Sequence, residues 1–276
     1  MKFKLPTTSA VLVKGKSFRL SNVDPGSEGP FAHHPKNRED AGPRLLVLRQ
    51  RLSELQELLY AEHQRSLLLV FQAMDTGGKD GAIENLLTGM NPAGVRVASF
   101  KAPSTEELSH DFLWRIHAQT PGKGHIGVFN RSHYEDVLIS RVHGLIDEET
   151  WRQRYEHINN FEALLTDGGT VVLKFFLHIS KAEQAERLQA RLDNPAKNWK
   201  FDPNDIKERT FWEKYQHAYE DAVRHCSPAG APWFVVPANQ KWARDLAITE
   251  IVVAALEKMN PQPQKAAFDP KEMVIQ

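Results

Sequence analysis

Apolar residues recur at helical spacing from Arg44 to Gln64, at Leu45, Leu48, Leu52, Leu55, Leu58 and Leu59, and then condense into an unbroken run, Leu67–Phe71. The first pattern predicts a helix with one buried stripe; the second predicts a strand covered on both faces. Strand-like runs follow at Val95–Phe100, Ile126–Phe129, Val171–Ile179 and Trp233–Val236. Helix-like runs fall between them at Thr105–Ala118, Tyr134–Arg141, Glu148–Leu165, Lys181–Arg191, Asp205–His225 and Lys241–Lys258. Strands alternating with helices predict an α/β fold, a mostly parallel five-stranded sheet with helices on both faces. Residues 1–43, rich in Pro, Gly and Ser with an extended-looking run near Val11–Leu20, read as an arm on a body spanning 44–260. The proline-broken residues 261–276 read as a loosely ordered tail.

In such a sheet, ligands sit beyond the carboxyl ends of the strands. The run Leu67–Phe71 ends in QAMDTGGKDG, and a helix-like stretch follows. Strand, glycine-rich loop and helix in that order suit an anion: loop amides and the positive helix end point at it, and a lysine adds charge. The phosphate-loop pattern G-x-x-x-x-G-K-S/T is matched at Gly77, Gly78, Lys79, Asp80 and Gly81 with two departures. Ala73 stands at the first glycine, which is tolerable if its φ stays negative. Asp80 replaces the hydroxyl that would touch a metal, so Asp75 becomes the replacement ligand, hard cations preferring carboxylate oxygens.

The other strand ends are also polar. Asn130-Arg131-Ser132-His133-Tyr134-Glu135-Asp136 follows the third strand. Arg131 offers a fork that can bridge donor and acceptor phosphates. Glu135 and Asp136 are near enough to serve a metal with Asp75, or they simply favour a helix N-terminus. After the fourth strand, Arg187, Arg191, Lys197 and Lys200 surround Asn194-Pro195 and Trp199, a stretch read as a lid over about 187–205, or else as a solvated charged helix end. On the acceptor side, Phe100 could stack on a base and Lys101 or Arg115 meet its phosphate; Arg115, beside Phe112, Leu113 and Ile116, could equally snorkel from a core stripe.

Composition narrows the partners. Lys+Arg and Asp+Glu both number 35 in 276 residues, so no general attraction to nucleic acid or membrane is expected. The single cysteine, Cys226, excludes an intrachain disulfide and reads as a structural thiol in a reducing, cytoplasmic setting. The first residues lack the apolar segment of a signal peptide, and no run is long and apolar enough for a membrane span. The twelve histidines show no metal spacing, and adjacent His33 and His34 read as a solvated pair.

Taken in order, QAMDTGGKDG, FNRSHYEDVL, LKFFLHIS, RLDNPAKNWKF and PWFVVPANQKW resemble the polyphosphate kinase 2 family from about Arg44 to Glu257. Asn130-Arg131-Ser132-His133 most resembles its class III branch, other branches beginning that motif with aspartate. The resemblance implies a P-loop kinase three-layer sandwich with a helical lid, akin to thymidylate kinases. It implies transfer of the terminal phosphate of inorganic polyphosphate to AMP and ADP, with Mg2+ (Mn2+ as alternative), in a homo-oligomer for which the N-terminal helix is a reasonable interface. Under it, Lys79, Arg131, Arg187, Arg191, Lys197 and Lys200 would form a row of cations along the phosphate chain. Asp75 with Asp136 or Glu135 would hold metal; Asn130 would lie beside the nucleotide.

Three rivals share some of these features. An ATP-dependent nucleoside or nucleotide kinase of the same fold would want a donor-base pocket near Pro237-Ala238-Asn239. A GTP-binding switch would want N-K-x-D, a string the chain lacks. A binding module for acidic polymers would keep the cations but have no need of Asp75.

Overall fold

The computed structural model describes residues 8–15, 17–29, 37–265, 267–268 and 273. The pair His33 and His34, the first seven residues and most of the end of the expected tail lie outside the described residues. Strand β1 (Val11–Leu12) is followed by helix α1 (Asn37–Glu62), β2 (Ser66–Ala73), α2 (Lys79–Leu87) and β3 (Val95–Ser99). Next come α3 (Thr105–Leu108), α4 (Trp114–His117), β4 (Ile126–Asn130), α5 (Ile139–Val142), α6 (Glu148–Asp167) and β5 (Thr170–His178). The chain closes with α7 (Lys181–Leu192), α8 (Asn204–Glu208), α9 (Trp212–His225), β6 (Trp233–Pro237) and α10 (Lys241–Met259).

The sheet order is β1-β6-β5-β2-β4-β3. Strands β3, β4, β2, β5 and β6 run parallel, with Leu69 of β2 level with Val128 on one side and Leu173 on the other. The sixth strand corrects the expected five: Val11 and Leu12 pair antiparallel with Val235 and Phe234. A two-residue strand carries no usable periodicity, so only the long-range pairing reveals it.

Strand β2 is buried along its whole length, as both-face coverage requires. Alternation along β5 separates the two faces. Phe175 stacks with Phe71 and Phe234 at 5.1 and 5.6 Å. Its neighbour Phe176 stacks on Tyr219 of α9 at 4.2 Å, and Lys174 reaches Glu162 of α6. Helices α1, α2 and α10 pack on one another, and α6 packs on β5. Cys226 is buried and free.

Local chemistry sets several boundaries. Asp147 caps α6 by accepting from Thr150 N at 2.8 Å, and Ser180 caps α7 by accepting from Glu183 N at 3.1 Å. A capping box of Ser104 and Glu107 starts α3. The expected helix over Thr105–Ala118 breaks into α3 and α4 because Ser109 and Asp111 bond to nearby backbone instead of continuing the ladder. The expected Tyr134–Arg141 helix is a 3-10 turn, His133–Val137, bent at Leu138 into α5. Helix α1 begins at Asn37, ahead of the apolar stripe. No helix among the described residues is long and apolar enough to cross a membrane.

Candidate active site

At the carboxyl end of β2 the chain turns through Met74–Gly78 into α2. Gly78 adopts φ 91°, and Thr76 is held at φ 59°, a region that costs a side-chain-bearing residue about 1–3 kcal/mol. A Cβ on Gly77 would fall 2.5 Å from Ala73 Cβ and 2.7 Å from Met74 O. Ala73, outside the positive-φ set, keeps its methyl because Gly77 has none. The second departure from the loop pattern is also answered: Asn130 Nδ2, at the end of β4, donates to Asp80 Oδ1 at 2.7 Å.

Lys79 Nζ donates to Ala73 O at 3.2 Å. Burial lowers its pKa, and the nearby Arg131 cation adds to the effect, while Asp75 and Glu135 oppose it. Tyr219 OH donates to the same Ala73 carbonyl at 2.9 Å, and Gln184 Nε2 to Asp75 O at 2.9 Å, so α9 and α7 both grip the loop.

Arg131, at the end of β4, donates from Nη2 to Asp75 Oδ1 at 3.0 Å; its Nη1 lies 3.7 Å from Glu135 Oε2. Its φ is 62°, another left-handed residue at the same sheet edge. Arg187 reaches the loop from α7, donating to Thr76 O at 3.2 Å and to Ala238 O at 2.6 Å, with Nε on Glu183 at 2.7 Å. Arg191 does not join it. It donates to Lys200 O at 2.9 Å and to Asp205 Oδ2 at 3.3 Å, holding the 187–205 segment to itself. Lys197 and Lys200 are exposed, Lys200 lying 4.9 Å over the Trp199 ring. The expected row of six cations therefore reduces to Lys79, Arg131 and Arg187 at the loop.

A fourth cation, which no sequence motif marks, completes the group. Arg244 of α10 is 3% exposed and donates to Gly78 O at 3.2 Å; its Nε is held by Asp245 at 2.7 Å. Its only sequence signal is a charged pair, Arg244-Asp245, in the first turns of a largely apolar helix.

The carboxylates diverge from expectation. Asp75, Glu135 and Asp136 do not form a three-carboxylate cluster; none of that kind occurs among the described residues. Arg131 separates Asp75 from Glu135, and Asp136 turns to Arg154, 3.5 Å away. Asp75, partly exposed beside the loop, still fits a hard cation whose remaining ligands are phosphate oxygens and water. Burial pushes the Asp136 carboxyl up to about 6, despite Arg154 and Arg115. A raised native pKa stabilises the fold below the unfolded value and loses that contribution as pH rises through about 6. Asp136→Asn should therefore raise the melting temperature at pH 7.5, by the equivalent of about 1–2 kcal/mol, and leave it unchanged at pH 3.5. Thermal melts at the two pH values check this; a variant less stable at pH 7.5 contradicts it.

On the acceptor side, the expected stacking face of Phe100 is covered. Phe100 is 7% exposed, with its ring against Phe129 at 5.0 Å and Arg115 5.7 Å above it. Arg115 donates to Lys101 O at 2.8 Å and faces Glu107 at 3.6 Å, so it braces this loop. Lys101 is exposed. A cleft of about 770 Å3 lies beyond, lined by Phe112, His157, Arg154 and Phe161 among others.

Comparison with known proteins fits this arrangement. The family model described as Polyphosphate kinase 2 matches residues 36–264. An AMP/ADP-polyphosphate phosphotransferase from Meiothermus ruber is 51% identical over 253 residues, covering 91% of this chain and 94% of its own. An ADP-polyphosphate phosphotransferase from Rhodopseudomonas palustris is 43% identical over 271 residues, covering 90% and 91%. The crystal structure of Polyphosphate Kinase 2 from Arthrobacter aurescens superposes with a TM-score of 0.91 at 44% identity, covering 98% of this chain and 96% of that one.

Proposed function

The chain belongs to the polyphosphate kinase 2 family, and from that premise we propose that it transfers the terminal phosphate of inorganic polyphosphate to AMP and ADP, giving ADP and ATP, as its class III branch would. The observation that carries this is the packing of four cations, Lys79, Arg131, Arg187 and Arg244, around one glycine-rich turn. That much positive charge at one edge of a neutral chain suits a string of phosphates.

Phosphoryl transfer needs alignment and charge stabilisation more than covalent help. Loop amides from Gly77 to Gly81 and Lys79 hold the donor's end. Arg131 spans donor and acceptor, orienting the acceptor oxygen in line with the bridging oxygen that leaves. As the new P–O bond forms and the bridging bond breaks, charge on the leaving chain meets Lys79 and the α2 N-terminus. Asp75 would hold Mg2+, with Glu135 the next carboxylate in reach; when bound, the ion neutralises phosphate charge. Lys197 and Lys200, exposed on the 187–205 segment, would come to the phosphates if that segment closes as a lid. Asn130, bonded to Asp80, would border the acceptor. A cytoplasmic homo-oligomer completes the reading; the buried free thiol of Cys226 agrees with a reducing compartment.

One feature favours a second reading. A cleft of about 530 Å3 lies beside Asn239, Gln240, Lys241 and Trp242, where an ATP-dependent kinase of this fold would seat its donor base. Against it, Glu183 and Asp245 in the cleft wall hold Arg187 and Arg244, whose other donors turn to the Thr76 and Gly78 carbonyls of the loop. Purified protein with AMP, polyphosphate and Mg2+ should form ADP and then ATP, read by chromatography with no ATP supplied. No product there, together with phosphorylation of AMP once ATP is added, would replace the first reading by the second.

A further inference from the structure

The backbone of Arg131 is held where side-chain-bearing residues rarely sit, at φ 62°. Its amide donates to Phe71 O at 3.0 Å, which fixes one side of the turn. The other side runs directly into the interior: Ser132, His133 and Tyr134 are each 0% exposed. Ser132 Oγ accepts from Gln72 Nε2 and from Tyr134 N, both at 3.2 Å. Tyr134 OH donates to Glu162 Oε1 at 2.8 Å, and His133 Nε2 lies 3.2 Å from the same oxygen. Lys174 donates to Glu162 Oε2, to Tyr134 OH at 2.9 Å and to Cys226 O at 2.6 Å.

A buried ion pair is a weak source of stability, because taking both charges out of water costs about as much as their attraction returns. Here Glu162 and Lys174 are both 0% exposed. Burial opposes the Glu162 charge, but Lys174 and His133 overcome it and hold the carboxyl below its usual range; burial keeps His133 neutral. An ionised carboxylate, with its acceptor oxygens fixed by a lysine, makes directional bonds that an apolar core cannot make. Both residues it receives from the 130–136 segment come immediately after Ser132, within three positions of Arg131.

We propose that the Glu162–Lys174 pair, acting through His133 and Tyr134, is a positioning device for Arg131, holding its guanidinium between Asp75 and Glu135. The pair itself touches no substrate. The chain of contacts runs from Lys174 on β5 and Glu162 on α6, through the two buried rings, to the strained turn that aims the arginine at the loop. This inference rests on the phosphotransfer reading for its kinetic consequence, though the pose of Arg131 is independent of turnover.

The test is a double-mutant cycle on kcat with Tyr134→Phe and Arg131→Lys. Tyr134→Phe removes one hydroxyl and keeps the ring that packs at 4.8 Å on Trp233. It should lower kcat about 10-fold, the scale of a sub-ångström misplacement, with KM for AMP and polyphosphate within about twofold of the parent. Combined with Arg131→Lys it should cost nothing further, since both changes act on one group. Tyr155→Phe, which deletes a buried hydroxyl bonded to Arg141 rather than to Glu162, should leave kcat unchanged. Multiplicative losses in the double variant, or equal losses from Tyr155→Phe, would overturn the proposal. A second readout needs neither turnover nor Tyr134→Phe. The Arg131 side-chain Nε–H resonance, identified by its loss in Arg131→Lys, should shift in His133→Asn; an unmoved resonance refutes the device. A parent protein silent in the kinetic assay would sink the phosphotransfer reading, while the resonance would still decide the positioning claim.

Discussion

Lys79→Ala should lower kcat by about 1,000-fold, the upper range for deleting one donor aimed at developing charge, while the melting temperature stays level or rises. The two halves of this expectation have one cause. The ammonium has Ala73 O as its hydrogen-bond acceptor, and burial together with Arg131 disfavours its charge. Four cations share this turn with Asp75, Glu135, Glu183 and Asp245 as counter-charges, yet Lys79 itself has no carboxylate in hydrogen-bond contact among the described residues and sits beside the Arg131 cation. Removing one relieves repulsion in the folded state, the trade of stability against activity that functional sites commonly show. Lys79→Arg should not rescue turnover, because a planar fork cannot occupy the place of a compact ammonium beneath the loop. Single-turnover rates and calorimetric melts of the three proteins check both halves. A Lys79→Ala protein within tenfold of the parent rate would remove the loop from the mechanism, and one that melts markedly lower would show that Lys79 holds the fold together.

How far the sequence carries such an argument depends on the range over which its signals act. The strand Leu67–Phe71 and the loop after it are contiguous, and each residue type there has a local reason, so Gly77, Gly78 and Lys79 were legible. Asp80 and Asn130 were each legible as departures from a pattern, but not as partners; their 2.7 Å hydrogen bond links positions fifty apart in the chain. Arg244 was hidden for the same reason. Its helix starts after the last parallel strand, and only the sheet order brings it over Gly78.

Phe100 shows the opposite failure. An aromatic at a strand end, followed by Lys101, has the look of a stacking platform, yet Phe129 on the neighbouring strand and Arg115 take both sides of that expectation away. Lys174 was invisible in another manner. Set in LKFFLHIS, it reads as a lone charge in an apolar run, and nothing local reveals that Glu162 waits on α6. The left-handed φ of Thr76 and Arg131 has no sequence signature at all, because neither residue type prefers it; tertiary bonds impose it. Local chemistry is thus readable where it is made by neighbours in sequence, and unreadable where the sheet brings distant residues together.

Arg131→Ala is expected to lose about 1,000-fold or more in kcat, as when a bridging arginine is removed from other phosphoryl-transfer sites. Arg131→Lys should fall nearly as far, since one ammonium cannot meet two phosphates with two parallel N–H bonds. The backbone separates this role from stability. At φ 62° an alanine carries the same Cβ penalty as the arginine, whereas glycine does not. Arg131→Gly should therefore be more stable than Arg131→Ala by about 1 kcal/mol, the left-handed penalty for a residue with a Cβ, although both are equally inactive. Urea melts of the two variants measure that difference, and their rates measure the loss. Glycine rescuing activity would mean that Arg131 serves only to shape its turn; alanine matching glycine in stability would mean that the turn relaxes once the guanidinium releases Asp75 and Glu135.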